Sequence, residues 1–310
     1  MSNHCFSACA TTGKSIISAM KTSRLSVPLL ALATIFTIAG CSNSQESADD
    51  ANTEASETAV ATKGDILRIA TEGAYAPFNY TNADGTLGGF DVEIANALCA
   101  DLQVTCEIVA QDWDGIIPGL KAGKYDAIVA AMSVTPERSE QVSFTAPYFS
   151  NTLVFLAKKD SSFDPSKQSD IDAHSIAAQR STISSQWFED TYPNADMKLY
   201  DTLSNAFLDL GSNRVDAMIS DKLPAIEWLS SPAGSNYALK GDEIDINDNF
   251  AIAVRPGDPL QAKINQSLAN IKANGTYDKI NQQYFAIPES AMQTSDVDAP
   301  EQPVTETAGQ

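Results

Sequence analysis

Residues 126–148 read DAIVAAMSVTPERSEQVSFTAPY, from Asp126 to Tyr148, and the reading of the whole chain turns on them. Ala127, Ile128, Val129 and Ala130 form an unbroken apolar run, which predicts a strand buried on both faces rather than one with a wet side. The run passes into a polar loop, Met132-Ser133-Val134-Thr135-Pro136-Glu137, that delivers Arg138. An arginine just beyond the C-terminal end of such a strand lies where open α/β sheets bind ligands, and its planar fork can hold a carboxylate by two parallel hydrogen bonds. Most arginines are solvated, however, so spacing alone favours a plain surface residue.

Working toward the N-terminus, residues 66–70 predict a strand, followed by a glycine-rich hairpin-like section. Phe90, Ile94, Leu98 and Leu102 then recur every four residues and predict a helix, with Asp91 and Glu93 placed favourably in its first turn. A strand at 104–109 and a short helix at about 116–122 lead into Ala127; this β-α-β order predicts a mainly parallel sheet. Toward the C-terminus, residues 153–158 cross into a second α/β region with strands at 175–179, 197–200 and 215–220 and a helix at 184–192. Thr202 caps a helix whose Leu203, Ala206, Phe207 and Leu210 share one face, ended by Gly211. Residues 250–254 form the return crossing, a helix runs over 260–274, Gly275 stops it, and Thr276 caps the last one.

The formal net charge of −20 argues against a nucleic-acid or anionic-lipid partner bound through a basic face. Histidine occurs only as His4 and His174, and no two cysteines form a C-x-x-C pair, so neither a metal nor another cofactor is expected. Residues 1–40 lack acidic side chains and carry Lys14, Lys21 and Arg24 before an apolar run at 27–39 that is too short to span a bilayer, which marks an export signal; counted from Met20 the signal is more compact, so translation is expected to start there. The run ends in Ile38-Ala39-Gly40-Cys41, which resembles the bacterial lipobox and implies a lipidated Cys41 as the mature N-terminus. Residues 41–63 read as that cysteine and a disordered acidic tether, and 288–310 as a disordered tail.

From about Asp65 to Phe285 the chain resembles the bacterial periplasmic amino-acid-binding proteins, solute-binding family 3 of ABC transporters, in the lysine/arginine/ornithine- and histidine-binding branch. The residues that carry this are Ala70-Thr71-Glu72-Gly73-Ala74-Tyr75-Ala76-Pro77-Phe78, Gly89-Phe90-Asp91, the 126–148 stretch and Gly275-Thr276-Tyr277-Asp278, all in family order. The resemblance implies a periplasmic-binding-protein type II fold: lobe 1 at 64–151 plus 249–287 and lobe 2 at 152–248, joined by a two-strand hinge, working as a monomer with an ABC permease as partner. It also implies a Cys99–Cys106 disulfide, the pairing expected of two nearby cysteines in an exported chain, worth about 2.5 kcal/mol for so short a loop.

The resemblance implies that Arg138 takes a ligand α-carboxylate, with help from Ser133 and the backbone N–H groups of Ala131 and of Thr182, which precedes a helix. Asp221 matches the position that takes the α-ammonium, although an aspartate there equally well caps the helix that follows. Tyr75 and Trp113 match the rings that sandwich the ligand side chain, and could as well be ordinary core; Glu72 matches an acid facing a cationic head, and could as well be a surface residue. Arg180 stands where the branch has a glycine, so it either pairs with a local acid or faces the ligand, in which case a dicarboxylate such as an opine fits better. A dehydratase of the same fold would need a positioned general acid, for which Glu72 is the one candidate; the expectation is a binder of arginine, lysine, ornithine or histidine, without catalysis.

Overall fold

The computed structural model describes residues 65–285; the signal, Cys41, the tether and the tail lie outside the described residues. In chain order the strands are β1 (Ile66–Thr71), β2 (Ala74–Tyr75), β3 (Asn79–Thr81), β4 (Leu87–Gly88), β5 (Thr105–Ala110), β6 (Ala127–Ile128), β7 (Ser143–Phe144), β8 (Phe149–Lys158), β9 (Ile176–Gln179), β10 (Met197–Tyr200), β11 (Ala217–Asp221), β12 (Tyr237–Phe250) and β13 (Ala253–Val254). The helices are α1 (Phe90–Leu102), α2 (Trp113–Lys121), α3 (Pro136–Ser139), α4 (Gln168–Ala173), α5 (Ile183–Thr191), α6 (Leu203–Gly211), α7 (Lys222–Ser230), α8 (Leu260–Ala273) and α9 (Thr276–Phe285).

Each lobe is built on one five-stranded sheet, and the first also carries the small antiparallel sheet β2-β3-β4. In the first, of order β5-β1-β6-β13-β7, β1 runs parallel to β5 and β6, while β13 returns antiparallel. In the second, of order β10-β9-β11-β8-β12, β9 is parallel to β10 and β11, and β8 and β12 are antiparallel to their neighbours. Helix α1 packs on β1 and β5 and against α8 and α9, and the Cys99–Cys106 disulfide joins its last turn to β5 across a Cα–Cα distance of 5.6 Å. The chain passes between lobes on β8 and β12, which pair from Phe149↔Phe250 onward. Where they leave the first sheet, Phe78, Phe149, Phe250 and Phe285 interlock with ring centroids 5.1–5.4 Å apart in the pairs Phe78–Phe149, Phe78–Phe250, Phe78–Phe285 and Phe149–Phe285, which anchors the roots of both crossing strands.

Three features differ from the sequence reading. The predicted strand 127–130 keeps only two ladder residues, because Ala131 adopts a left-handed φ of 44° and turns the chain at the point where it enters the cleft. Helix α2 starts at Trp113 rather than near residue 116, and accommodates Pro118 within it. The strand leading into the return crossing is the 14-residue β12, which the sequence reading did not contain: its acid-rich sequence, YALKGDEIDINDNF, has no apolar run, and it forms a strand by pairing along β8 with register shifts on either side of Ile244.

Candidate functional site

Parallel strands in each lobe point their C-terminal ends at the cleft, and the site residues come from the turns just past them. Glu72 follows β1, Trp113 follows β5, and Ser133 and Arg138 follow β6; from the other lobe come Gln179 and Thr182 at the end of β9 and Asp221 at the end of β11. This is where ligands bind in open α/β sheets. Glu72, Tyr75, Trp113, Ala131, Ser133, Arg138, Thr182 and Asp221 line one cavity between the lobes, together with Ala130, Gln179 and Ile183. Arg180 is not among its lining residues: it pairs with Asp201 at 2.7 Å and reaches Asp114 of the other lobe at 3.9 Å, half-exposed. Of the two readings left open for Arg180, the geometry favours the local ion pair.

Arg138 sits on the single turn α3, whose N-cap Thr135 accepts from the Arg138 backbone N–H at 3.2 Å. Its Nη1 donates to the Ser133 carbonyl at 2.8 Å, and its Nη2 crosses the cleft to the Ser181 carbonyl at 3.0 Å. The guanidinium lies over the Trp113 ring, 5.1 Å from its centroid, and Trp113 Nε1 donates to the same Ser181 carbonyl at 3.0 Å. Trp113 therefore orients the arginine as well as lining the cavity. Burial works against the guanidinium's charge, and Asp248 and Asp221 oppose that effect.

Asp221 occupies an N-cap position, yet its side chain makes no capping bond to α7. Its Oδ2 instead accepts from Tyr75 Oη across the cleft at 2.5 Å, and Oδ1 is buried without a hydrogen-bond partner among the described residues. Burial raises its pKa, with Asp248 adding to the rise and Tyr75, Asn151 and Arg138 opposing it. Glu72 is 8% exposed rather than a surface residue, and its Oε1 accepts from Gln179 Nε2 across the cleft at 2.7 Å. Burial lifts it from the usual 4.5 to about 7; the Gln179 hydrogen bond pulls the other way, and Asp112 and Asp114 add to the rise.

Two expected contributions turn out differently placed. The Ala131 N–H donates to Tyr148 Oη at 3.1 Å, so that donor is engaged behind the cavity wall rather than offered to a ligand. Ser133 Oγ donates to Asp248 Oδ2 at 3.1 Å, which also accepts from Asn151 at 2.8 Å. Thr182 is the N-cap of α5: its Oγ1 accepts from Ser185 N–H at 3.3 Å and donates to the Gln179 carbonyl at 2.7 Å, leaving its own backbone at the positive end of the helix. Asp248 and Gln179 escaped the sequence reading. Asp248 is one of several acids in β12, singled out only by its burial at the crossing, and Gln179 carries no charge to draw notice beside Arg180.

Two α/β lobes closed on a buried, charged cavity define a solute-binding protein of the type II architecture. The chain belongs to the bacterial extracellular solute-binding proteins, family 3, whose profile matches residues 67–287. It is 36% identical over 234 residues to the ABC transporter arginine-binding protein 1 of Escherichia coli (strain K12), covering 74% of this chain and 95% of that one. It is 41% identical over 177 residues to the octopine-binding periplasmic protein of Rhizobium meliloti, covering 50% of this chain and 60% of that one. Among solved structures, an ancestral arginine-binding protein bound to arginine matches with a TM-score of 0.68 and 34% identity, over 71% of this chain and 98% of that chain. The family is one of solute-binding proteins, and the relatives named above are binding proteins rather than enzymes.

Proposed function

We propose that this protein is the substrate-binding lipoprotein of an ABC amino-acid importer, capturing arginine or a related cationic amino acid outside the cytoplasmic membrane and delivering it to a permease. Arg138 takes the α-carboxylate, Asp221 the α-ammonium through its unpartnered Oδ1, and Glu72 the cationic head, between the rings of Tyr75 and Trp113. Thr182 at the N-terminus of α5 assists at the carboxylate, and Ser133 holds Asp248 behind Arg138. The lobes, residues 64–151 with 249–287 and residues 152–248, close on the ligand by bending at the crossing strands. Cys41 bears the lipid, so Cys41→Ser moves the protein to the soluble fraction; continued co-sedimentation with membranes rejects the anchor.

The observation that carries the ligand assignment is a charge imbalance. Three buried carboxylates, Glu72, Asp221 and Asp248, lie at or just behind the cavity, against the one guanidinium of Arg138 that lines it. A ligand with two positive groups and one negative group reduces that excess, whereas a neutral or acidic amino acid leaves it or enlarges it, at the cost of a buried unpaired charge. Isothermal titration of the purified protein, freed of bound ligand, with arginine, lysine, ornithine, histidine, glutamine and glutamate is expected to rank a basic amino acid first, with glutamine weaker by about tenfold or more, about 1.4 kcal/mol. Tighter binding of glutamine or glutamate rejects the assignment. The 41% identity to an octopine-binding protein makes octopine the second reading; its binding above arginine would move the assignment to an opine.

A further inference from the structure

We infer that Gln179 is a specificity-determining residue that selects a guanidinium over an ammonium as the head group of the ligand, an inference that rests on the cationic-amino-acid reading above. Gln179 ends β9, is 1% exposed and lines the cavity next to Glu72. Its amide orientation is fixed by its neighbours. Nε2 lies 2.7 Å from Glu72 Oε1 and 3.3 Å from the Asp201 carbonyl oxygen, both acceptors, so exchanging the amide N and O would set oxygens against oxygens. The amide oxygen is therefore Oε1 without ambiguity, and it is buried with no hydrogen-bond partner among the described residues. A buried amide oxygen in that condition calls for a donor.

The head of a ligand lying between Tyr75 and Trp113 thus meets two acceptors: the carboxylate of Glu72 on the first lobe and the carbonyl of Gln179 on the second. They are separated by the amide nitrogen, whose hydrogen already goes to Glu72. A guanidinium spreads five N–H donors over three nitrogens in one plane, and so can reach both acceptors while lying flat beside an aromatic ring. An ammonium carries its three donors on a single nitrogen; seated on the carboxylate it leaves the amide oxygen unpaired, and drawn toward the amide it weakens its ion pair. Glu72 thereby sets the charge of the head and Gln179 its shape, and the ligand is arginine in preference to lysine or ornithine.

Gln179→Met keeps the length and bulk of the side chain and removes both polar ends. Calorimetric titration of the purified, ligand-free protein with L-arginine and with L-lysine is expected to show arginine weakened by at least about tenfold and lysine by less than about threefold, so that the arginine-to-lysine ratio collapses. A residue that merely latched the lobes would weaken both ligands by one factor, and an equal loss overturns the inference, as does an unchanged arginine affinity. Wild-type protein that binds neither amino acid overturns the cationic reading itself, whereas wild type that binds arginine with a ratio unmoved by the substitution removes Gln179 alone. Should Gln179→Met fail to fold, Gln179→Asn, which withdraws the same amide by one methylene, supports the same comparison.

Discussion

Asp91 and Asp221 each bury a carboxylate, each accepts a hydrogen bond from a tyrosine hydroxyl, Tyr148 at 2.7 Å and Tyr75 at 2.5 Å, and in each burial raises the pKa. They part at the second oxygen. Asp91 Oδ2 accepts from Asn79 Nδ2 at 2.8 Å, whereas Asp221 Oδ1 finds no partner among the described residues. The Asp91 cluster lies within the first lobe and ties α1 to the segment before β8, with Tyr148 also accepting from the Ala131 N–H. The Asp221 pair spans the cleft. Burial and a shifted pKa are thus common to a structural carboxylate and a candidate ligand-binding one, and unfilled hydrogen-bonding capacity is what tells them apart.

The largest effects that would break this comparison come from truncating the two aspartates. Asp221→Ala is expected to weaken arginine binding by about 30-fold or more, since removing one partner of a desolvated charge pair costs about 2–5 kcal/mol. Its ligand-free melting temperature should change little, because the loss of a buried carboxylate with an unpaired oxygen offsets the Tyr75 hydroxyl left without its acceptor. Asp91→Ala should show the opposite pattern. It strands the Asn79 amide and the Tyr148 hydroxyl at about 1–3 kcal/mol each, seen as a lower denaturation midpoint, while the folded protein binds arginine within about threefold of wild type, about 0.6 kcal/mol. Calorimetry and chemical denaturation on both variants give four numbers. Similar changes in both variants would dissolve the distinction.

Dependence on pH sharpens it further. Asp91 is pushed from the usual 3.8 to about 7 by burial, against hydrogen bonds from Tyr148, Asn79 and Ala131; Glu72 likewise rises to about 7. Between the ordinary carboxylate range and about pH 7 the folded protein therefore holds protons that the unfolded chain has released. The stability this confers is present in full at the acid end of the window and is lost as pH rises through it, by at most about 1.4 kcal/mol per pH unit for each group. Asp91→Asn should flatten the stability profile in that window. Ligand binding runs the opposite way: a cationic ligand requires Glu72 and Asp221 ionised, so arginine affinity should climb from pH 5 to 7 by up to about tenfold per unit for each. Glu72→Gln should remove about one proton from that slope and Asp91→Asn none; a binding profile that responds to Asp91→Asn instead would place Asp91 in the ligand's electrostatic environment.

Much of this was legible in the sequence, and the gaps have physical reasons. Apolar runs such as Ala127–Ile128 and the four-residue spacing of Phe90, Ile94 and Leu98 report burial directly, so strands, helices and their order could be read. The β12 strand could not, because its residues alternate between half-buried and exposed along an edge and its strand character comes from β8. Nor could the turn at Ala131, since alanine gives no warning of a left-handed φ. Arg138 and Asp221 stand at strand ends and so could be nominated, but neither the second role of Trp113 under the guanidinium nor the orphaned oxygen of Gln179 exists before the lobes meet.

The smallest expected effect concerns Arg180, the cation that sequence alone left between two roles. Its ion pairs with Asp201 and Asp114 are partly exposed, with 42% of the arginine side chain in solvent, and exposed pairs are worth about 0.2–1 kcal/mol. The bond to Asp201 lies within the second lobe, whereas the 3.9 Å approach to Asp114 spans the cleft and exists only while the lobes are together, so it can favour closure slightly. Arg180→Ala should therefore weaken arginine binding by no more than about threefold, and the difference from wild type should fade as salt rises from about 0.05 to 0.5 M, because exposed pairs are screened. Titrations at both salt concentrations measure this. A loss of tenfold or more that persists at high salt, or a switch of preference between arginine and octopine, would place Arg180 against the ligand.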